Sequence, residues 1–326
     1  MKKKLFFWTA LILVIVLSSC AETGKKAKKL VNYMTESERN SIVFSPVSPK
    51  QRYYHEIADV AQYIQEMSVY DEELEAVYII HITLPPDYDE NKPYPMYMMT
   101  DGIWRLSDHG ELRPMMVNGE IEDIIMVSIG LDYEISDGLD RGNEEAHATL
   151  RLKEFVVKAD LFLDFITNNL APYMGELYNI DYSRSALMGH SLGGYFMHYA
   201  VFNSDKYENQ PFHYYVMASP SNELIVARHH RGHDFIVIET DYFKRNKTLA
   251  KEIYVTAGGI EDDEYYNLYG KNFISYAMLT NVENFKTRME KQKVKTIEYE
   301  IWEGADHSSY VKPMMRKSLL KYYGVK

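Results

Sequence analysis

Ala186-Leu187-Met188-Gly189-His190-Ser191-Leu192-Gly193-Gly194-Tyr195-Phe196-Met197 runs from a short apolar, strand-like triplet through a glycine-flanked serine into a helix-forming segment. The central pentapeptide matches G-x-S-x-G, the nucleophile elbow, in which a strained strand-to-helix turn lifts a serine hydroxyl clear of a sheet. Bulk at the flanking positions would block both the turn and the close packing of the helix that follows, and glycine removes it. On this reading Ser191 is the candidate nucleophile.

Outward from the elbow, apolar runs rich in β-branched and aromatic residues alternate with longer segments of helical period. That alternation predicts an α/β fold with a mostly parallel central sheet and helices on both faces, the α/β-hydrolase fold. Strands are expected over Ala76–Leu84, Pro95–Met99, Ile124–Ile129, Ser185–Met188, His213–Ala218, Ile253–Thr256 and Thr296–Trp302. The spacing predicts helices over Leu150–Leu170, Leu192–Phe202, Asn272–Lys291 and Val311–Tyr323. In an open sheet of this kind ligands bind beyond the carboxyl ends of the strands. The residues just after each strand are therefore the ones to search for chemistry.

A serine hydroxyl is a poor nucleophile near neutral pH, so it needs a base within hydrogen-bond reach and a group that orients the base. In this fold the order along the chain is serine, acid, histidine. Of the histidines downstream of Ser191, His307 alone sits in a loop between the last expected strand and the last expected helix, which makes it the base by position. The acid should follow the penultimate strand, where Gly258-Gly259 leads into Ile260-Glu261-Asp262-Asp263-Glu264. Glu261 is the first carboxylate past the glycines and the preferred acid. Asp262 remains the alternative, as does a serine–histidine dyad whose imidazole is held by a backbone carbonyl. Oxyanion donors are expected from the backbone N–H of Leu192, next to the nucleophile, and of Ile103, after the tight turn Asp101-Gly102. As a bare dipeptide, Asp101-Gly102 also reads as an ordinary turn.

Met1-Lys2-Lys3-Lys4, the apolar stretch Leu5 to Leu17 and Leu17-Ser18-Ser19-Cys20 have the layout of a secretory leader. Cys20 is the only cysteine of the 326 residues, so no internal disulfide can form. Leu-Ser-Ser-Cys resembles a bacterial lipobox, with Cys20 as the lipidated first residue of the mature protein. The expected organisation is a leader over 1–19, a tether over 20–40 and one hydrolase domain over 41–326, anchored by lipid in a bacterial cell envelope, in the periplasm or at the outer-membrane surface. The formal net charge is −11, and removal of the leader's three lysines leaves −14, which argues against nucleic acid as a partner. Lys25-Lys26-Ala27-Lys28-Lys29, just after the proposed lipid, could lean on anionic headgroups or merely space the domain from the membrane. The chemistry calls for no metal or cofactor. His229-His230-Arg231-Gly232-His233 reads as a compositional cluster on a loop rather than as a metal site. Most of the 28 tyrosines read as half-buried packing residues, although aromatic walls for a catecholate, ferulate or sugar ester are conceivable.

Ile82-Thr83-Leu84-Pro85-Pro86-Asp87-Tyr88-Asp89, Lys92-Pro93-Tyr94-Pro95-Met96-Tyr97 and Asp101-Gly102 resemble the opening of a family of esterases. That family includes enterobactin-cleaving siderophore esterases, esterase D, feruloyl esterases and mycolyltransferases. Leu170-Ala171-Pro172-Tyr173, Gly189 to Gly194, Ala218-Ser219-Pro220-Ser221 and Gly304-Ala305-Asp306-His307-Ser308 fall in the family's order, so the resemblance covers nearly all of residues 76–311. It implies Ser191 as nucleophile, His307 as base, Glu261 as acid, and Ile103 and Leu192 as oxyanion donors. The implied substrate is a small-molecule or glycan ester, such as a siderophore, feruloyl or acetyl-sugar ester. Two departures, Met98-Met99-Thr100 in the opening strand and Asn222-Glu223 after Ser-Pro-Ser, change the pocket walls. A ligand-binding lipoprotein without turnover and an acyltransferase are the rival readings.

Overall fold

The computed structural model describes residues 31–32, 63–131, 149–221, 235–262 and 278–326. Nine strands form one sheet: β1 (Val31–Asn32), β2 (Ile64–Asp71), β3 (Ala76–Thr83), β4 (Met96–Thr100), β5 (Ile125–Leu131), β6 (Ala186–His190), β7 (Tyr214–Ala218), β8 (Glu252–Gly258) and β9 (Ile297–Trp302). Their spatial order is β1-β2-β3-β5-β4-β6-β7-β8-β9. From β5 to β9 every neighbouring pair is parallel, whereas β1, β2 and β3 join antiparallel at one edge. Each strand predicted from the sequence is present, with ends moved by one or two residues.

β1 and β2 are additions to that expectation. Along β2, Met67, Val69 and Asp71 are buried while Glu66, Ser68 and Tyr70 are half-buried, because alternate residues face the core and the outer side. β1 lies within the stretch read as a tether, and its Val31 and Asn32 pair with Tyr70 and Val69 of β2.

Helices cover both faces. On one face lie α1 (Gly102–Val117) and α7 (Val311–Tyr323), packed through Leu112, Met115, Met314, Met315 and Leu319 against Tyr97, Met99, Met188 and Val216. The other carries α2 (Ala159–Asp164), α3 (Ala171–Leu177), α4 (Leu192–Asn203), α5 (Phe235–Arg245) and α6 (Met278–Lys291). α1, α3 and α5 lie outside the helices expected from the sequence. α1 is amphipathic only weakly, with Pro114 inside it and Asp101-Gly102 at its start, and those residues read as a turn. α4 is buried at every position from Gly193 to Asn203, as the helix after an elbow must be when strands and helices enclose it.

The predicted helix over Leu150–Leu170 is helical but not regular. Two π-helical turns, Lys153–Val157 and Phe165–Leu170, flank α2, with a break at Lys158. Each π turn inserts a residue into the ladder and rotates the apolar stripe. In consequence Phe155, Phe162, Phe165 and Ile166 all reach the core, and the carboxyl of Glu154 is carried inside with them. α6 begins at Met278, and Asn272 to Ala277, where the expected helix starts, lie outside the described residues. No helix among the described residues is long and apolar enough to cross a membrane. The leader, Cys20 and the lysines after it lie outside them too.

Candidate functional site

β4 and β6 are parallel neighbours, with Met99 beside Met188. The segments that leave their carboxyl ends therefore emerge side by side, and each starts a helix. After β6 comes Ser191 at φ 62° and ψ −118°, a conformation that L-residues rarely hold. Neighbours over-determine it: the Ser191 N–H donates to the Ala218 carbonyl at 2.9 Å, and its own carbonyl accepts from Tyr195 N–H at 3.0 Å and Ser221 N–H at 3.2 Å. The hydroxyl lies 3.3 Å from that of Ser221. A Cβ on Gly193 would come 2.5 Å from Thr100 Oγ1, so only glycine lets the elbow press against the end of β4.

After β4 comes Asp101, also left-handed at φ 62° and ψ 45°, and then Gly102 opens α1. Asp101-Gly102 is thus a helix start rather than a bare turn. A Cβ on Gly102 would sit 2.6 Å from the Gly130 nitrogen, so α1 rides directly on the end of β5. Ile103 and Leu192 occupy the first turns of α1 and α4, where backbone N–H groups have no intrahelical partner and the helix dipole favours negative charge. The Ile103 side chain lies outside the described residues.

His307 follows β9 in the loop before α7, as its position in the sequence predicts. Its Nδ1 is 2.8 Å from Glu261 Oε2. A carboxylate can only accept, so this contact assigns the ring proton to Nδ1 and leaves Nε2 as the accepting nitrogen. Glu261 is fully buried, and its other oxygen accepts from Ser219 Oγ and from the Gly258 N–H, both at 2.5 Å. Tyr310 in turn hydrogen-bonds Ser219 Oγ. Burial, followed by the nearby Glu261 charge, pushes the Tyr310 phenol far above its ordinary range, which keeps it a proton donor. Asp262, the alternative acid, is occupied elsewhere: it accepts from the Leu279 and Thr280 N–H groups at 2.8 and 3.1 Å and caps α6. Glu261 is therefore the carboxylate that meets His307.

Ser191 and His307 line one cleft of about 650 Å³, together with Arg105, Asp108, Arg151, His190, Ser308 and Lys312. Several of these walls escaped the sequence reading. His190, the variable residue before Ser191, donates from Nε2 to the His307 carbonyl at 2.7 Å and packs its ring 4.5 Å from the His307 ring. Burial, then the adjoining His307 and Arg105, holds His190 well below its ordinary pKa, so it stays neutral. Arg105 pairs with Asp108 at 2.8 Å. Burial raises the Asp108 carboxyl, and Arg105 partly offsets this. Arg151 grips Asp101 with two nitrogens at 2.6 and 3.0 Å. The sequence does not single it out, since Lys153 and Glu154 follow it closely and make it one charge among several. Among the described residues no cluster of histidine, cysteine or carboxylates could hold a metal. His229-His230-Arg231-Gly232-His233 and Asn222-Glu223 lie outside them.

The sequence matches the family model described as "Putative esterase" over residues 72–317. Among solved structures, siderophore hydrolase EstB from Aspergillus nidulans superposes with a TM-score of 0.64 at 19% identity, covering 80% of this chain and 96% of that one. A ferulic acid esterase from Anaeromyces mucronatus gives 0.55 at 16% identity, over 80% of this chain and 90% of that one. The BES protein from Bacillus cereus gives 0.60 at 19%, over 81% and 95%. At such identities these likenesses speak to the fold. No curated protein sequence matches. The family model runs from the end of β2 into α7, over the same stretch that builds the sheet and the cleft, and by that match the chain belongs to this esterase family.

Proposed function

We propose that the enzyme cleaves carboxylic esters through an acyl-enzyme on Ser191. His307 takes the serine proton through Nε2 as Oγ attacks the ester carbonyl, and returns it to the leaving alcohol. Glu261 holds the ring in the required tautomer and stabilises the imidazolium that forms. The N–H groups of Leu192 and Ile103 receive the charge that develops on the carbonyl oxygen, a contribution of about 3–4 kcal/mol for a donor of this kind. Water then repeats the attack on the acyl group, with His307 again as base. The observation that carries this reading is the 2.8 Å contact between half-buried His307 and buried Glu261, with His307 in the cleft that also holds the strained Ser191.

The substrate we infer is a small-molecule or glycan ester bearing polar groups, of the siderophore, feruloyl or acetyl-sugar kind. Charged and hydrogen-bonding side chains on the cleft walls, Arg105, Asp108, Arg151, His190 and Lys312, support that preference over a plain lipid ester. Structures of similar fold are described as a siderophore hydrolase and a ferulic acid esterase. We further infer from Leu17-Ser18-Ser19-Cys20 that the mature enzyme begins at a lipidated Cys20 and works at the cell envelope.

Turnover of p-nitrophenyl butyrate by wild type and Ser191→Ala tests the chemistry, with loss of activity expected and retained turnover refuting it. A panel of feruloyl, acetyl-sugar, short acyl and ferric-siderophore esters, run with and without an added acceptor alcohol, ranks the substrates and separates hydrolysis from transfer. Cys20→Ser should move the protein from the membrane to the soluble fraction, and continued sedimentation with membranes would count against the anchor.

A further inference from the structure

We propose that Arg151 is a positioning residue that sets the spacing between the two oxyanion donors, by tying the start of α1 to the residue before the nucleophile. The proposal rests on Ser191, Leu192 and Ile103 acting as described above.

The guanidinium of Arg151 touches both walls of the site. Nε is 2.6 Å from Asp101 Oδ1 and Nη2 is 3.0 Å from Asp101 Oδ2, a planar fork on a planar carboxylate. The same Nη2 donates to the His190 carbonyl at 3.3 Å. Asp101 is the residue immediately before α1, and His190 is the residue immediately before Ser191. One rigid group therefore spans the residues that set the entry of α1 and the bend of the elbow, the two segments whose N–H groups point at a developing oxyanion. Gly193 packs against Thr100 Oγ1 and against the same Asp101 carboxylate, so the two segments also touch directly beside the fork. Close contact and the fork together hold the two walls at one spacing.

Stability alone gives little reason for such a pair. Arg151 is 9% exposed and Asp101 is 8% exposed, and a buried ion pair is commonly no more stabilising than apolar side chains of similar volume. What the fork supplies, and an apolar contact does not, is a fixed angle between two backbones. Lysine could keep the charge opposite Asp101 but would grip it as a single point.

The test compares wild type, Arg151→Lys and the double variant Arg151→Met with Asp101→Asn, which leaves no buried carboxylate unpaired. For each, kcat and KM are measured on p-nitrophenyl butyrate, together with the inhibition constant of butylboronic acid and the thermal midpoint. The boronic acid forms a tetrahedral adduct on the serine, so its affinity reports the oxyanion donors rather than ester binding. The expected result is a kcat lowered about 10- to 100-fold, the penalty of a misplacement near an ångström, with KM within about twofold and boronate affinity weakened in step with kcat. A folded Arg151→Lys or double variant with kcat within about twofold of wild type overturns the proposal on the same scale. So does a raised KM at unchanged kcat, which would make Arg151 a substrate contact, or a lowered kcat at unchanged boronate affinity. Labelling of Ser191 by a fluorophosphonate in wild type, and its absence in Ser191→Ala, is read separately. Failure there removes the nucleophile assignment, whereas failure of the Arg151 series alone removes only the clamp.

Discussion

In the proposed mechanism the imidazole of His307 works only if one nitrogen is held as a donor so that the other can accept. Glu261 does this from a position with no solvent exposure, where its two oxygens receive His307 Nδ1, Ser219 Oγ and the Gly258 N–H. Glu261→Gln should keep the size of the side chain and most of these contacts while offering an amide N–H to a nitrogen that needs an acceptor. The expected outcome is a kcat lowered by about 10²- to 10⁴-fold with little change in KM, from a wrong tautomer rather than a lost binding contact. Steady-state kinetics on p-nitrophenyl butyrate measure it, and Asp262→Asn is the control. Asp262 caps α6 and does not meet His307, so that variant should lower the thermal midpoint slightly, by about 1 kcal/mol of stability, and leave kcat near wild type. The reverse pattern would move the acid role from Glu261 to Asp262.

At the level of elements, the sequence was informative wherever one residue type had a single physical explanation. The parallel strands β4 to β8 are short, mostly apolar runs buried along nearly their whole length, and such runs are visible without a structure. β2 was missed because one of its faces is only half-buried, so polar residues such as Glu66 and Ser68 diluted its apolar pattern. α1 was missed because the signals at its start, an aspartate and a glycine, are those of a turn. What distinguishes them is the left-handed Asp101 and the Gly102–Gly130 contact, both properties of the folded backbone. In the site, Ser191, His307 and Glu261 stood out as candidates from order and spacing, and His307 does meet Glu261, whereas Arg151 and Ser219 did not stand out, because each meets a partner distant in the chain. Gly102→Ala tests how tightly α1 must sit. A Cβ 2.6 Å from the Gly130 backbone cannot be relieved by a side-chain rotation, so α1 has to lift from β5. Thermal unfolding should show a loss of about 1–3 kcal/mol, and kcat should fall with it because the Ile103 N–H moves with α1. Wild-type kcat in the folded variant would show that the start of α1 takes no part in catalysis.

Over the whole molecule, buried titratable groups set opposing limits on stability. His109 lies fully buried between Thr83 Oγ1 at 2.9 Å and Ser128 Oγ at 3.0 Å. Burial, then the nearby His81, pushes it down to about 3. His190 is held low in the same direction. In the unfolded chain both would protonate near the ordinary histidine value of about 6.5, so below that pH the unfolded state binds more protons. Stability from His109 is complete above about pH 6.5 and is lost as pH falls toward about 3, at about 1.4 kcal/mol per pH unit, and His190 acts with the same sign. Glu154 acts with the opposite sign. Burial pushes its carboxyl up to about 7, against the lowering contributions of the Tyr78 hydrogen bond, Lys153 and Lys158. The folded protein therefore keeps Glu154 protonated where the unfolded chain has already ionised it. Its contribution is complete below about pH 4.5 and is lost as pH rises through about 7. Tyr78 donates to Glu154 Oε2 at 2.6 Å, and an amide oxygen can accept the same bond. Glu154→Gln thus removes the ionisation and keeps the contact. Urea unfolding at pH 5 and pH 8 should show the variant close to wild type at the lower pH and more stable at the higher, by up to about 3 kcal/mol for a shift of this size. An equal change at both pH values would mean that Glu154 does not change its proton on folding, and that the alkaline limit of the enzyme is set by some other group.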